Sequence, residues 1–425
     1  MAAKTFPRGQ QLCRYSMTHL FINSLAASAG GGVTYIRNVI PRLAAKPGVQ
    51  ATVALPPRLR QEFRSISNVN FIELEIPAGR RFWFEQSQLP AVILRSGADV
   101  LLSAGNFALR RSPVPQILLS RNSIYTSADF YRDLLKRQDY GAWLDTHFRA
   151  ILARRSIHWA DVTVAPSEAF ASELRRWTGK PVCAVHHGFD YDVFTSDESP
   201  LTPEVEDKLR ETDDALRLLF VSHYNYYRNF ETLIRALPML RDRMARKPVR
   251  LLLTCKLITG ANPGAYKAHR AAKLIRELGV EDMVIELGTI PYSQLHLVYR
   301  RADIYVTPAY TETFAHPLVE AMASGLPIVA SDLAVHHEIC GECASYFNRF
   351  SSEELTQSVA ELGSSGEIAE RRSVLSKERS QDFSWKTHVE EILKLADSLV
   401  GSGGSAAGQR KSRSGALGIT AVTSK

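Results

Sequence analysis

No run of about 20 consecutive apolar residues, the length a membrane-spanning helix needs, occurs in this 425-residue chain. Its apolar stretches are as short as 99-DVLLSAG-105, 116-QILL-119 and 325-GLPIVA-330. A spanning helix is therefore not expected. The N-terminal MAAKTFPRGQQLCRYSM has neither a continuous apolar segment nor a small-residue cleavage site, so it does not read as a secretory signal. Residues 1–16 read as a disordered lead-in before Met17, and the chain as cytoplasmic, either free in solution or at the inner face of the membrane. Cysteine is scarce: Cys13, Cys183, Cys255, Cys340 and Cys343 are odd in number and scattered, which excludes a disulfide framework and suits a reducing compartment. The pair in 340-CGEC-343 has the spacing of half a zinc site, but no second pair or His cluster completes it, and it reads as two small residues in a loop. The triplet 30-GGG-32 does not extend to GxGxxG, because Tyr35 stands where the last glycine belongs. That argues against a dinucleotide fingerprint and an NAD-dependent oxidoreductase. No RNP, zinc-finger or helix-turn-helix signature points to nucleic acid.

What is present is apolar mass enough for two cores, since 45% of residues are hydrophobic and domains usually hold about 100–200 residues. Short β-rich runs alternate with helical patterns. The first series is 18-THLFIN-23, 51-ATVAL-55, 99-DVLLS-103, 115-PQILLS-120, 161-DVTVA-165 and 182-VCAV-185. The second is 216-LRLLFVS-222, 249-VRLLLTC-255, 283-MVIELG-288, 303-DIYVTP-308, 327-PIVA-330 and 344-ASYF-347. Between them lies the acidic TSDESPLTPEVEDKLRETDDA with two prolines. The expectation is an α/β chain of two Rossmann-like, doubly wound parallel-sheet domains facing a central cleft, spanning 17–200 and 215–385, with a linker at 201–214. Val389, Ile392, Leu393, Leu395 and Ala396 recur helically in a closing helix at 386–400, and the Gly/Ser/basic tail 401–425 is expected to be disordered.

Charge is uneven. Net charge is +8, and residues 1–195 carry 24 Lys and Arg against 14 Asp and Glu, so the basic excess sits in the front half. There 80-RRFWF-84, 110-RR-111 and 141-GAWLDTHFRAILARRS-156 interleave arginine with aromatic and aliphatic side chains. These segments read either as a solvated basic face over ordinary packing or as a surface resting on an anionic membrane.

The densest motif is 307-TPAYTETFAHPLVEAMASGLPIVASD-332. A strand ends at Pro308, an irregular segment follows, and Pro317 suits the first turn of the next helix. Glu312 then lies in the loop and Glu320 near the helix start. Eight residues along one continuous helix would separate them by about 80°, so the spacing is that of a loop plus a helix. The free N–H groups from Phe314 to Leu318 form a positive pole, and two carboxylates beside it suit sugar and ribose hydroxyls. Gly31 and Gly32, lacking Cβ atoms, let backbone N–H groups approach a phosphate closely.

These residues, with 321-AMASGLPIVASD-332 and Glu338, resemble glycosyltransferase family 4, the retaining nucleotide-sugar transferases of GT-B fold. The glycine-rich 30-GGGVTYIRNVIPRL-43, the interdomain 186-HHGFDYDVF-194 and the closing 383-FSWKTHVEEIL-393 extend the likeness from about Met17 to Val400. The resemblance implies that Glu320 binds the ribose, that Glu312 contacts the donor sugar, and that the main chain at Phe314 and Ala315 holds the donor. In 221-VSHYNYYRNFETLIRAL-237 the family carries an Arg and a Lys or Arg five residues apart for the diphosphate. Arg228 fits the second place, but His223 fills the first, leaving neutralisation to Arg228 and Lys256 unless the diphosphate protonates the imidazole. The family's front-domain His-Asp step is replaced by 118-LLSRNSIYT-126, so that Arg121 or Asn122 stands there, and His147 is a second candidate at the cleft. Glu312, Arg228 and His223 are thus the expected catalytic set. The expected donor is a nucleotide-diphosphate sugar and the acceptor a saccharide or lipid-linked molecule, as in cell-envelope polysaccharide or glycolipid synthesis. No cofactor or metal is expected, since no Asp-x-Asp is read on a loop after a strand. The competing expectation is a degenerate GT-B protein, with His223 as its first lesion, that binds a sugar nucleotide or polyanion without transfer.

Overall fold

The computed structural model describes residues 18–27, 31–264 and 266–413, with side chains as far as Gly401. The expected lead-in 1–16 and the end of the expected tail, 414–425, lie outside them. The first sheet consists of β1 (His19–Asn23), β2 (Gln50–Leu55), β3 (Asn70–Glu73), β4 (Val100–Ser103), β5 (Gln116–Leu119), β6 (Val162–Ala165) and β7 (Cys183–Ala184). The second consists of β8 (Leu216–Phe220), β9 (Val249–Leu253), β10 (Val284–Glu286), β11 (Ile304–Thr307), β12 (Ile328–Ser331) and β13 (Ala344–Phe347). Both sheets are parallel, in the orders β3-β2-β1-β4-β5-β6-β7 and β10-β9-β8-β11-β12-β13. The expected strands all form. The unexpected one, β3, is a four-residue edge strand with no fully buried residue, so its apolar pattern is too weak to read.

The helices that position the site are α1 (Gly31–Ala44), α2 (Ala128–Lys136), α3 (Tyr140–Trp159), α4 (Glu168–Thr178), α5 (Pro203–Arg210), α6 (Phe230–Arg243), α7 (His316–Ala323), α8 (Ala334–Cys340) and α9 (Trp385–Arg413). In each sheet the strand order reverses beside the first strand, between β1 and β4 and between β8 and β11. Crevices at the carboxyl ends of strands open at such switch points. The loops leaving β1 and β8 run to Gly31 and Arg228, and the loop leaving β11 carries Glu312.

Two expectations about the connections are corrected. The stretch 201–214 is no loose linker, because α5 lies within it and buries Val205 and Leu209, with Leu201 just ahead of the helix, in the second domain's core. Its apolar residues were few but spaced for one helical face. The closing helix begins at Trp385 and continues to Arg413, through the first part of the expected tail. Once its first turns are anchored, each added residue gains a hydrogen bond without a new nucleus. The anchor is on the first domain: Trp385, Val389, Ile392 and Ala396 share a cluster with Tyr35, Ile36 and Val39 of α1.

The chain therefore crosses between domains twice, and the crossings touch. Phe189 pairs with Ser384 in an isolated bridge, and Phe189 N–H donates to the Phe383 carbonyl at 3.1 Å. A Cβ on Gly188 would lie 1.9 Å from the Trp385 backbone nitrogen, so no side chain fits there. A second clasp is α2, whose Phe130 and Leu134 are buried in the second domain's cluster with Tyr224, Tyr226 and Phe230. Each such side chain stabilises the contact by about 1.5–3 kcal/mol. Arg137 pairs with Glu231 at 2.9 Å, and the Tyr310 hydroxyl donates to Asp133 at 2.9 Å. Glu338 of α8 caps α4 across the gap, accepting from Glu168 N–H at 2.8 Å and Ala169 N–H at 2.6 Å, and meets His186 Nε2 at 2.6 Å.

Candidate functional site

Two cavities meet in the cleft. One, of about 320 Å³, is lined from the first domain by Gly31, Gly32, Asn106, Arg121, Asn122 and His187. From the second domain Tyr227, Arg228 and Glu312 to Pro317 complete it. The other, of about 400 Å³, lies in the second domain behind His223, Arg228 and Thr254, with Val221, Ile290, Tyr292, Leu295 and Pro317 as an apolar wall. Tyr227, Arg228 and Pro317 belong to both, so the two cavities lie side by side against these residues.

Arg228 and Glu312 form a direct ion pair on the shared wall. Burial alone would lift the Glu312 carboxyl, but Arg228 and the Thr313 N–H, 3.0 Å from Glu312 Oε1, hold it below the ordinary carboxylate range. The carboxyl is held as an anion. Phe314 is buried, and Ala315 takes a left-handed backbone (φ 63°) just ahead of α7, which starts at His316 with Pro317 in its first turn. This bend turns the main chain of 314–316 along the cavity wall. Across from it, α1 starts at Gly31, whose added Cβ would meet nothing. Packing therefore does not demand that glycine, and the open space in front of it is cleft.

Arg121 lines this cavity but is already engaged. Its Nη1 donates to the Gly31 carbonyl and its Nη2 to the Ala104 carbonyl, both at 2.7 Å, and the guanidinium lies over the Tyr35 ring. Burial lowers its pKa to about 10, and no carboxylate pairs with it among the described residues. It is a cation held behind the glycine turn. Asn122 also lines the cavity, though its side chain caps the turn at Ile124. His223 faces the second cavity with Arg228, and burial first, then the Arg228 charge, depress its pKa, so the imidazole is neutral.

Three expected residues sit elsewhere. Lys256 is exposed beside Gly288 and lines neither cavity, because β9 ends at Leu253 and carries the chain past the cleft before position 256. His147 is exposed on α3 and stacks on Trp143 at 5.4 Å, outside both cavities. Glu320 is 4% exposed, one turn behind Pro317, and lines neither. Its Oε2 accepts from the Tyr299 hydroxyl at 2.9 Å, and burial lifts its pKa to about 7 against that hydrogen bond.

Two histidines went unread as site residues although both lie inside quoted motifs. His187 is 3% exposed with both ring nitrogens unpartnered, and His316 Nε2 is likewise unpartnered. They lie 5.2 Å apart on the wall of the smaller cavity, and burial drives both toward the neutral form, His316 to about 4. One Asp-x-Asp does occur, 190-DYD-192, but Asp192 lies within the helical turn Tyr191–Phe194 that Asp190 caps at Val193, and Asp190 also pairs with Arg42 of α1. Cys340 and Cys343 are free and buried in the second domain's core.

A cation-bearing wall, two helix starts and a buried carboxylate thus line a GT-B-type cleft at the switch points of two parallel sheets. The family model for Glycosyltransferase Family 4 matches residues 29–193, and that for Glycosyl transferases group 1 matches 202–379. The chain belongs to these group 1 and family 4 glycosyltransferases. Among its relatives, a D-inositol 3-phosphate glycosyltransferase of Corynebacterium aurimucosum is 30% identical over 44% of each chain. Another, of Corynebacterium glutamicum, is 26% identical over 60% of this chain and 62% of that one. The matches thus span less than two thirds of those relatives. Among solved structures, sucrose-phosphate synthase from Thermosynechococcus elongatus shares the fold at a TM-score of 0.69 and 18% identity, covering 91% of this chain and all of that one. Anabaena HepE in complex with UDP and glucose does so at 0.64 and 16%, covering 90% of this chain and all of that one. No described helix is long and apolar enough to cross a membrane.

Proposed function

We propose that this chain is a retaining glycosyltransferase that moves a sugar from a nucleotide-diphosphate sugar to a saccharide or lipid-linked acceptor at the cytoplasmic face of the membrane, in cell-envelope polysaccharide or glycolipid synthesis. The observation that carries the reading is the single cavity joining Arg228, Glu312 and the 314–316 main chain to the α1 start. The base lies in the apolar second cavity against Tyr292, the diphosphate between Arg228 and the Gly31/Gly32 N–H groups, and the sugar beside Glu312. Glu320 is assigned to the ribose hydroxyls, which it meets only by turning from the Tyr299 hydroxyl toward the cavity side of Pro317. As the bond to the anomeric carbon breaks, negative charge develops on the diphosphate, and preorganised cations and amides there lower the barrier. Arg121 supplies the charge that His223 does not. Arg228 is half-neutralised by Glu312, whereas Arg121 meets only carbonyl oxygens and a ring face. Both cations come from the protein, so the step calls on no metal ion.

The neutral imidazole at His223 favours a second reading, a cleft that binds the sugar nucleotide without transfer. A thermal-shift panel of UDP-, GDP- and ADP-sugars without added metal, followed by transfer of a labelled sugar, separates the two. Ligand at 100 times its Kd raises stability by about 2.7 kcal/mol. A shift followed by transfer with the anomeric configuration kept, unaffected by EDTA, supports the transferase. A shift without turnover leaves the binder, and no shift with any donor removes both.

A further inference from the structure

Helix α3 carries apolar residues on both sides, but the large ones mostly face solvent and the small ones the protein. It turns the small residues Thr146, Ala150, Ala153 and Ser156, with Ile157, toward the protein. Toward solvent it shows Tyr140 (63% exposed), Leu144 (64%), Phe148 (62%) and Ile151 (43%). At 100° per residue these four fall within an arc of about 80° and extend over about 16 Å. Surface helices ordinarily bury such a stripe, and a contiguous exposed one marks a contact surface. Leu135 and Lys136, both exposed at the end of α2, continue the surface past Tyr140.

Charge identifies the occupant. Exposed Arg155 and His158 fall within the same arc, and exposed Arg154 lies about 40° outside it. Neither arginine pairs with a carboxylate among the described residues. The one acid of the helix, Asp145, lies off the arc and is bound to Arg149 at 2.8 Å. An apolar stripe with cations at both ends and no acid matches a bilayer carrying anionic headgroups: the large side chains enter the headgroup boundary while the cations reach the phosphates. A second copy laid on the stripe about a two-fold axis would instead set cation against cation, which is repulsive. We propose that the Tyr140–Ile151 face of α3, with Arg154 and Arg155, docks this chain on an anionic membrane surface. The helix packs on the turn at Ser123–Tyr125, next to the cleft residue Asn122, so docking brings the cleft to the membrane plane. The inference rests on the reading of an acceptor presented at the membrane and gives that reading its surface.

The test uses the full chain, co-sedimented with vesicles of phosphatidylcholine alone and of phosphatidylcholine with phosphatidylglycerol, at low and high salt. The wild type should bind the anionic vesicles, more weakly at high salt. Leu144→Glu/Phe148→Glu should lose at least about tenfold in binding, as two apolar anchors are removed, while keeping its thermal transition and its sugar-nucleotide shift. Arg154→Gln/Arg155→Gln should lose about fivefold per charge and flatten the salt dependence. Wild-type binding unchanged by Leu144→Glu/Phe148→Glu, or equal on neutral and anionic vesicles, overturns the proposal. So does a wild-type dimer that binds no vesicles and that this double variant turns into a monomer. Loss of donor binding in the wild type would instead strike the transferase reading, because vesicle binding does not depend on it.

Discussion

Replacing Glu320 by glutamine should change stability and donor binding in opposite directions. In the folded chain the carboxyl is buried and its pKa is lifted from 4.5 to about 7. A carboxyl that holds its proton more tightly when folded contributes stability below pH 4.5, and this is lost as pH rises toward 7. The shift corresponds to about 3 kcal/mol. Glutamine keeps an oxygen for the Tyr299 hydroxyl, 2.9 Å away, and has no charge to desolvate. Denaturant unfolding across this pH range should therefore show the variant no more stable than wild type at the acid end. The gap should open through the window and hold at up to about 3 kcal/mol above it. Above pH 7, where the carboxyl is ionised, donor affinity should fall instead, by about 2 kcal/mol, because a charged acceptor for the ribose becomes a neutral one. A stability gap that does not vary with pH would refute burial as the cause of the shift. Unchanged donor affinity would remove Glu320 from the ribose.

Three other substitutions probe the cleft. His223→Arg should tighten nucleoside-diphosphate binding. The wild type, whose imidazole is depressed when empty and must take a proton to help, should bind more tightly as pH falls through the ordinary histidine range, and the arginine variant should not; calorimetry at several pH values reads this. Arg228→Met and Glu312→Gln should each destabilise the fold and the double variant less than their sum, with a coupling of about 2 kcal/mol in a double-mutant cycle. Additivity would mean that the pair is not formed in solution. Ala315→Gly should raise stability by roughly 0.5–1 kcal/mol by relieving left-handed strain at φ 63°, and a loss would show that the bend is not as described.

The sequence positions of every strand but β3, the two-domain division and the loop-plus-helix placement of Glu312 and Pro317 could be read from the chain, because periods of 2 and 3.6 and the turn residues that end them are properties of near neighbours. Gly31 was singled out by its missing Cβ and Arg228 by the family resemblance, and each lies eight residues past the end of its strand. Convergence was not legible. Lys256 and His147 fit the chemistry and the sequence interval as well as Arg228 does, yet the path of β9 and the outward face of α3 leave them off the cleft. Arg121 was visible as a residue out of pattern, but its grip on the Gly31 carbonyl, 90 positions away, exists only once β1, β4 and β5 lie side by side. His187 and His316 come together, and Gly188 becomes irreplaceable, only where the two crossings between domains meet. Exposure was the most hidden. Apolar residues occur on both sides of α3, so its sequence reads equally as a solvated basic face over ordinary packing and as a surface resting on a membrane. Which side meets the protein is decided by what the rest of the chain packs against it.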